Sequence, residues 1–401
     1  MAPRPSVPPP PPPEGTPWFE PFIGPYLARQ QWVELTLRRY GAATVPTEIA
    51  DLEVLRTKRP GLASVLVRVD GSLLHLVLGW RDLASAPGML AGRPGAVLGP
   101  GEDGEGEVLV YDALADGELV AELLVVATGG SQHARRSRMV RSLISHSSLI
   151  FDDRLFMKCY RVIEEGVRPE IETVTRLVEV GFDHLAAPVG HWARRGRDLA
   201  LVREFVPDAI EGKALAETSL RDLLGRAEVD GTGTPFEEVG LAGGDLGAEM
   251  RRLGSVTAEL HLGLAAAFGR EPSGAIRLHG DYHLRRVMRT DRGWIVTGFG
   301  DDPLLGSTAG TASTGEPVVA SPLEDLADLC CSLRQVAAEA VALCTPAARR
   351  HARALADGWE QRNIGELLRG YLSTEGIERL VTGGRPEIEA ALGQLVSARA
   401  G

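Results

Sequence analysis

Ile276-Arg277-Leu278-His279-Gly280-Asp281-Tyr282-His283-Leu284-Arg285-Arg286-Val287-Met288-Arg289 is the stretch from which the fold is read. An apolar run, Ile276 to Leu278, delivers His-Gly-Asp into a loop. The turn Thr290-Asp291-Arg292-Gly293 and the strand Trp294 to Thr297 then bring the chain back to the same place. Phosphoryl transfer to a hydroxyl asks for this layout. An aspartate orients the acceptor oxygen and takes its proton, while groups on a hairpin hold a divalent metal against the phosphates. Two blander readings use the same residues: Asp281 as the cap of a turn, and His279 with His283 as zinc ligands, for which no third ligand follows at a familiar spacing.

Upstream of this loop the sequence is strand-rich. Ser64–Val69 and Leu73–Leu78 flank Asp70-Gly71, the strongest short hairpin signal a sequence carries, and Val108–Tyr111 reads as a further strand. The intervening Gly99–Glu107 reads as an acidic, glycine-rich loop, and the segment to about residue 125 as mostly β. A second hairpin pairs Leu149–Phe151 with Leu155–Tyr160 around Asp152-Asp153-Arg154, placing Phe156, Lys158 and Tyr160 on one face. Pro169 opens a helix and Leu199–Val206 forms a strand that stops at Pro207. Beyond a glycine-rich loop, 230–247, the pattern turns helical: Leu323, Leu326, Cys330, Leu333 and Ala337 keep one helical face, as do Leu355 and Trp359. Residues 306–317 read as a second low-complexity loop.

The 401 residues, 44% of them hydrophobic, supply enough apolar sequence for two or three packed domains, and the net charge of −11 argues against a general nucleic-acid binder. The basic run His133–Arg141 reads as a solvated linker or helix face rather than a contact for nucleic acid or an acidic partner. No stretch reaches the length of a membrane span, and the proline-rich residues 1–16 form an extended tail rather than a secretory signal, so the expected compartment is the cytoplasm. The four cysteines, Cys159, Cys330, Cys331 and Cys344, show no paired metal spacing. Arginine supplies nearly all the positive charge. The three lysines, Lys58, Lys158 and Lys213, therefore stand out, and Lys158 on an apolar strand invites a chemical role.

Over roughly residues 20–375 the chain resembles the actinobacterial maltokinases, which have the aminoglycoside-phosphotransferase, protein-kinase-like fold. Pro25–Trp32 (PYLARQQW), Leu155–Gly166 (LFMKCYRVIEEG), Arg168–Glu172 (RPEIE), Arg203–Pro207 (REFVP), Leu278–Leu284 (LHGDYHL), Ser321–Ala327 (SPLEDLA) and Gly358–Asn363 (GWEQRN) carry the resemblance. It implies an α+β, two-lobed kinase-like fold: tail 1–16, β-rich cap 17–128, N-lobe with hinge 129–207 and helical C-lobe 208–401. It also implies roles. Lys158, paired with Glu172, would contact the ATP phosphates, Glu204 and Val206 would offer backbone groups to adenine, and Asp281 would be the catalytic base. An ordinary surface ion pair is the alternative for Lys158 and Glu172. Trp359, Arg362, Asn363 and Glu366 share a helix face with Tyr371 one further turn on, and this stripe, with His279 and His283, would form a sugar-binding surface; an exposed polar face with one tucked tryptophan is the alternative.

Two departures from the family pattern matter more than the matches. Five residues after the catalytic aspartate, where the family carries an amide metal ligand, stands Arg286. The family's Asp-Phe-Glu has become Gly298-Phe299-Gly300. Mg²⁺ needs hard oxygen ligands in near-octahedral geometry, which neither a guanidinium nor a glycine side chain supplies. The two losses together cost metal binding roughly 3–5 kcal/mol or more. Asp301 and Asp302 are the candidates for replacement ligands. Arg286 is the candidate for gripping phosphate in the ion's stead. The phosphate-covering run has also changed, to Ile144-Ser145-His146-Ser147-Ser148. The departures favour a pseudokinase that binds ATP without Mg²⁺ and acts with a partner in trehalose, maltose and glycogen metabolism, either trehalose synthase or an active kinase homologue. The alternative is an active ATP-dependent sugar kinase with a relocated metal site.

Overall fold

Asp70 and Gly71 sit at φ 49° and 81°, the left-handed conformations that a two-residue hairpin turn demands, and they join the two longest neighbouring strands of the first sheet. These coordinates are a computed structural model describing residues 17–37, 45–140, 146–230, 246–299 and 318–400. The expected tail 1–16, most of the loop 230–247, the loop 306–317, Ile144, Ser145, Gly300, Asp301 and Asp302 lie outside the described residues. The chain forms two units, Met1–Gly166 with Val189–Arg203, and Val167–Pro188 with Glu204–Gly401.

The first unit holds two antiparallel sheets. In one, β1 (Glu48–Arg56), β2 (Gly61–Val69), β3 (Ser72–Asp82), β4 (Val97–Glu102) and β5 (Glu107–Asp112) run in the order β1-β2-β3-β5-β4. The expected loop at 99–107 is thus largely strand: β4 pairs with β5 from Val97 opposite Tyr111 to Glu102 opposite Glu107. Two of its glycines, Gly99 and Gly101, serve packing, while Gly104 and Gly106, at φ 88° and 132°, make the turn between the strands. A Cβ on Gly99 would meet the Phe22 ring at 2.8 Å, and one on Gly101 the Trp18 ring at 2.7 Å. Both aromatics belong to the segment around helix α1 (Glu20–Leu27), whose Ile23, Tyr26 and Leu27 join the core with Val65, Val67 and Leu76. Past the short helix α2 (Gln31–Leu37) and a single turn of helix at Ala86–Met89, α3 (Gly117–Ala127) covers the other face of the sheet; Leu119 of α3 lies 2.6 Å from where a Cβ on Gly79 would be. This double cover explains why β2 and β3 are apolar on both faces. Residues to 125 are thus mostly strand among the regular elements, with helices the sequence reading does not name: Asp116 caps α3 by accepting from the Glu118 N–H at 3.0 Å, an N-terminal signal that the apolar run hides.

The second sheet contains β6 (Ser137–Val140), β7 (His146–Phe151), β8 (Leu155–Tyr160), β10 (Pro188–Arg194) and β11 (Arg197–Glu204), in the order β10-β11-β8-β7-β6; the two-residue β9 (Val162–Ile163) pairs with β3 of the first sheet instead. Asp152 and Asp153, at φ 48° and 51°, make the β7–β8 turn. Within the basic run, His133–Arg136 is an irregular, largely exposed connection, and Ser137–Val140 forms the edge strand β6 rather than a helix face. The two sheets are joined by buried polar groups. Arg161, just past β8, donates to Asp112 at 2.5 Å, Tyr26 donates to the same oxygen at 2.9 Å, and buried His75 of β3 bonds the Tyr160 carbonyl at 3.1 Å. A buried carboxylate needs this compensation, because stripping its water is costly otherwise.

In the second unit Pro169 stands at the start of α4 (Pro169–Glu179), as the sequence implies. Around α5 (Gly212–Asp230), α6 (Gly247–Phe268), α7 (Leu323–Leu343), α8 (Arg349–Leu372) and α9 (Arg385–Ala400) lies a large apolar core. Helices α6 and α8 meet backbone to backbone. A Cβ on Gly254 would lie 2.0 Å from the Leu367 carbonyl oxygen, and one on Gly370 only 1.9 Å from that of Arg251. Because a rigid backbone is what blocks the added methyl, Gly254→Ala or Gly370→Ala pries the pair apart. Each is expected to cost about 1–3 kcal/mol or more, read as a lowered urea midpoint with an unchanged m-value.

Candidate functional site

The loop after Leu278 is built on one buried carboxylate. Asp325, in the first turns of α7 and with no solvent exposure, accepts the backbone N–H of His279 at 2.9 Å and of Gly280 at 3.2 Å. His261 of α6 adds a third contact at 3.3 Å, and the other ring nitrogen of His261 bonds the Tyr371 hydroxyl at 2.9 Å. Burial alone would raise the Asp325 carboxyl, but its contact with His261 and the His279 N–H hold it below the usual range. Gly280, at φ 83°, turns the chain so that both amides face Asp325. Ile276–Arg277 (β13) pairs with Val319–Ala320 (β16), fixing the loop's entry; its exit is the hairpin of β14 (Val287–Thr290) and β15 (Gly293–Val296), which β12 (Ile210–Glu211) extends.

Asp281 projects from this loop and is met by two side chains. Arg286 reaches its Oδ2 with Nε at 3.0 Å and Nη2 at 2.5 Å, and His283 Nε2 lies 3.4 Å from its Oδ1. Partial burial would raise the Asp281 carboxyl. The His283 contact and the Arg286 charge overcome that and pull it down to about 2. Both oxygens are therefore engaged, and the group is a weak proton acceptor. The backbone of Arg286 is itself pinned. Its N–H donates to His283 O at 2.7 Å, and its carbonyl accepts the Thr297 N–H at 2.8 Å.

Of the residues at the expected metal positions Arg286 and Gly298 are described, and neither side chain offers an oxygen ligand for a divalent ion. Gly298 has φ 81°, and a Cβ built on it would lie 2.8 Å from both Cδ and Nη1 of Arg286. A fixed cation thus occupies the room beside Asp281 where a second ligand would stand. Among the described residues no group of three or more acidic, histidine or cysteine side chains could hold a metal ion. His279 is not poised for zinc either: its Nε2 bonds the Thr297 carbonyl at 3.0 Å and its Nδ1 accepts the Asp281 N–H at 3.4 Å.

That geometry also corrects the placement of His279 on a sugar-binding surface. It is 4% exposed, stacked between Tyr282 and Phe299. The stripe on α8 is corrected in the same way. Trp359 is 1% exposed with its indole N–H on Ser219, Asn363 is buried against the Trp359 carbonyl, and Tyr371 is buried on His261. Arg362 alone of the four is partly exposed. Helical spacing predicted a shared face correctly, but that face points into the core, because an aromatic stripe flanked by leucines has more to gain from burial than from water.

Of the nucleotide-side candidates, Lys158 sits on β8, 5% exposed, with its ammonium 5.5 Å from the Tyr160 ring centre. Glu172 lies on α4 in the other unit, where it pairs with Arg277 at 2.7 Å. The guanidinium of Arg277 stacks over Phe268. The Glu204 N–H is taken by the Ala187 carbonyl at 2.9 Å, which leaves only its carbonyl to offer an adenine. Val206 is half-buried, and among the described residues its N–H meets no acceptor. Asp325, His261 and Arg277 escaped the sequence reading: Asp325 was visible only as one letter of SPLEDLA, and nothing local marks the other two.

No protein-family model matches the sequence. Among solved structures the chain is similar to a glucosamine kinase in complex with glucosamine, ADP and inorganic phosphate, at 18% identity and a TM-score of 0.54, covering 93% of this chain and 96% of that one. A second crystal form of glucosamine kinase matches at 17% identity and a TM-score of 0.55, with the same coverage. What is shared at this identity is the fold, an α+β, two-lobed, kinase-like architecture. No described helix is long and apolar enough to cross a membrane.

Because the Asp281 carboxyl titrates lower in the folded chain than in the unfolded one, its contribution to stability is full above about pH 4 and disappears as the pH falls to about 2. Arg286→Met should move the Asp281 titration upward and flatten that window, observable in carboxyl carbon shifts and in melts between pH 5 and 2.

Proposed function

We propose that this chain binds a nucleoside triphosphate without a divalent metal and transfers phosphate poorly or not at all, as a pseudokinase of the sugar-kinase type. The observation that carries this reading is the Arg286 guanidinium seated on Asp281 beside Gly298. In a metal-dependent phosphotransferase the ion neutralises charge developing on the phosphates while the aspartate takes the acceptor proton. Here the aspartate is engaged on both oxygens and held strongly acidic, and a permanent cation lies alongside. Among the described residues Arg286 Nη1 has no acceptor, so it remains as a donor for a phosphate oxygen. Lys158 would supply the second cation and Val206 an N–H for adenine. Support for the nucleotide itself comes from the similar glucosamine kinase, solved with ADP.

The finer parts of the proposal rest on the maltokinase resemblance. They are a sugar ligand such as maltose, Glu172 as the partner of Lys158, and association with trehalose synthase or an active kinase homologue. The acceptor would not lie on the buried Trp359, Asn363 and Tyr371 stripe, which leaves His283 and Arg362 as the sugar-side candidates with some exposure.

Thermal-shift titration checks the central claim. ATP should raise the melting temperature equally in Mg²⁺ and in EDTA, by the equivalent of about 2.7 kcal/mol at a hundredfold excess over Kd, and Lys158→Ala should remove the shift. ATP turnover with maltose or glucosamine should stay at background. Turnover of about 1–100 s⁻¹, as working kinases show, would overturn the pseudokinase reading and favour a metal held through Asp301 or Asp302. Co-purification with trehalose synthase, lost on disrupting the complex with high salt, checks the partner.

A further inference from the structure

We infer that Arg286 and Gly298 are a single coupled element: the glycine admits the guanidinium, which clamps Asp281 and closes the place where a metal-ligating side chain would stand. This deepens the function proposed above and rests on it for the identity of the place that is closed. The coupling itself rests on geometry alone. A Cβ at 298 would lie 2.8 Å from Arg286 Cδ, 2.8 Å from Nη1 and 3.2 Å from Cζ. Cδ is the middle of the side chain rather than its swinging end, so a small rotation does not relieve the contact. Nor is the tip free to leave, because Nε and Nη2 are both bonded to Asp281 Oδ2. The root is fixed as well: the Arg286 N–H is held by the His283 carbonyl, and its own carbonyl receives both the N–H and, at 3.2 Å, the hydroxyl of Thr297, the residue just before Gly298.

The dependence runs in the other direction too. Without Arg286, the side chain of Asp281 would keep, among the described residues, the 3.4 Å contact with His283. Arg286 is therefore a positioning residue for Asp281, and Gly298 is what makes its position available. Two apparently separate losses of metal ligands become one exchange of an ion for a side-chain cation, and no side chain can return at 298 without colliding with Arg286.

Gly298 has a second reason to be glycine, its φ of 81°. Any other residue pays that backbone strain whether or not Arg286 is present, whereas the steric clash exists only with Arg286. A double-mutant cycle on the full chain separates the two. The expected result is that Gly298→Asp lowers the melting temperature at least twice as far in the parent as in the Arg286→Gln background, with Gly298→Ala showing the same asymmetry. A Gly298→Asp chain that fails to fold, and folds again once Arg286→Gln is added, is the same result in stronger form. Equal losses in both backgrounds overturn the coupling.

Mn²⁺ alone, followed by its paramagnetic resonance, supplies a readout that packing would not move. The double variant Arg286→Gln/Gly298→Asp should bind it at least tenfold more tightly than either single variant. Tight binding by Gly298→Asp alone, or a double variant no better than the singles, overturns the claim that the guanidinium closes this place. Neither readout involves ATP, so failure of nucleotide binding would remove the proposed function and leave the coupling standing.

Discussion

A carboxylate with no contact with water organises the helical unit. Asp325 is tolerated in the core because two backbone amides and a histidine meet it, and in return it dictates where the His279-Gly280 peptide must run. Leaving such a group unpaired would cost several kcal/mol, so the loop has little freedom to choose another path. Everything downstream inherits that constraint: the direction of Asp281, the seating of His279 between Thr297 and the Asp281 amide, and the entry angle of the β14–β15 hairpin. His261 extends the network to Tyr371 on α8, so the loop is tied to the interface where α6 and α8 touch at Gly254 and Gly370.

On this frame Arg286 sets a charge that never leaves and a plane of donors against Asp281. The pairing solves a local electrostatic problem, since an ionised, part-buried Asp281 without a counter-charge would be unfavourable. It also engages Asp281 alongside His283, so the carboxylate is satisfied from within and is a weak proton acceptor. Under the proposed function, such a site holds a ligand still and moves a proton poorly.

Legibility in the sequence followed the range of the interactions involved. Asp70-Gly71 and Asp152-Asp153 announced their hairpins because turn geometry is decided within a few residues, and Pro169 announced a helix start for the same reason. Of the stretch 99–107, Asp103–Gly106 is the acidic, glycine-bearing loop the sequence announces, but Gly99–Glu102 is strand, because Phe22 and Trp18, some eighty residues away, pack against its bare backbone. The α8 stripe misled differently: periodicity reveals that Trp359, Asn363 and Tyr371 share a face but is silent on whether that face meets water or other helices. Glu172 was assigned Lys158 as its partner by resemblance, whereas within its own unit it is met by Arg277, which no spacing rule connects to it.

From its order of residues alone, this chain settled the positions of several turns, the type of many elements, the loop bearing Asp281, and the presence of Arg286 five residues after that aspartate and of Gly298 just past the return strand. Those features are local or compositional, and short-range sterics and chemistry suffice for them. Only the folded arrangement decided that the arginine lies on the aspartate, that it fills the space over Gly298, and that Asp325 holds the loop beneath both. Each of these depends on segments tens of residues apart, or on a hairpin's exact closure, converging to within bonding distance, and burial rather than pattern determines which groups then meet.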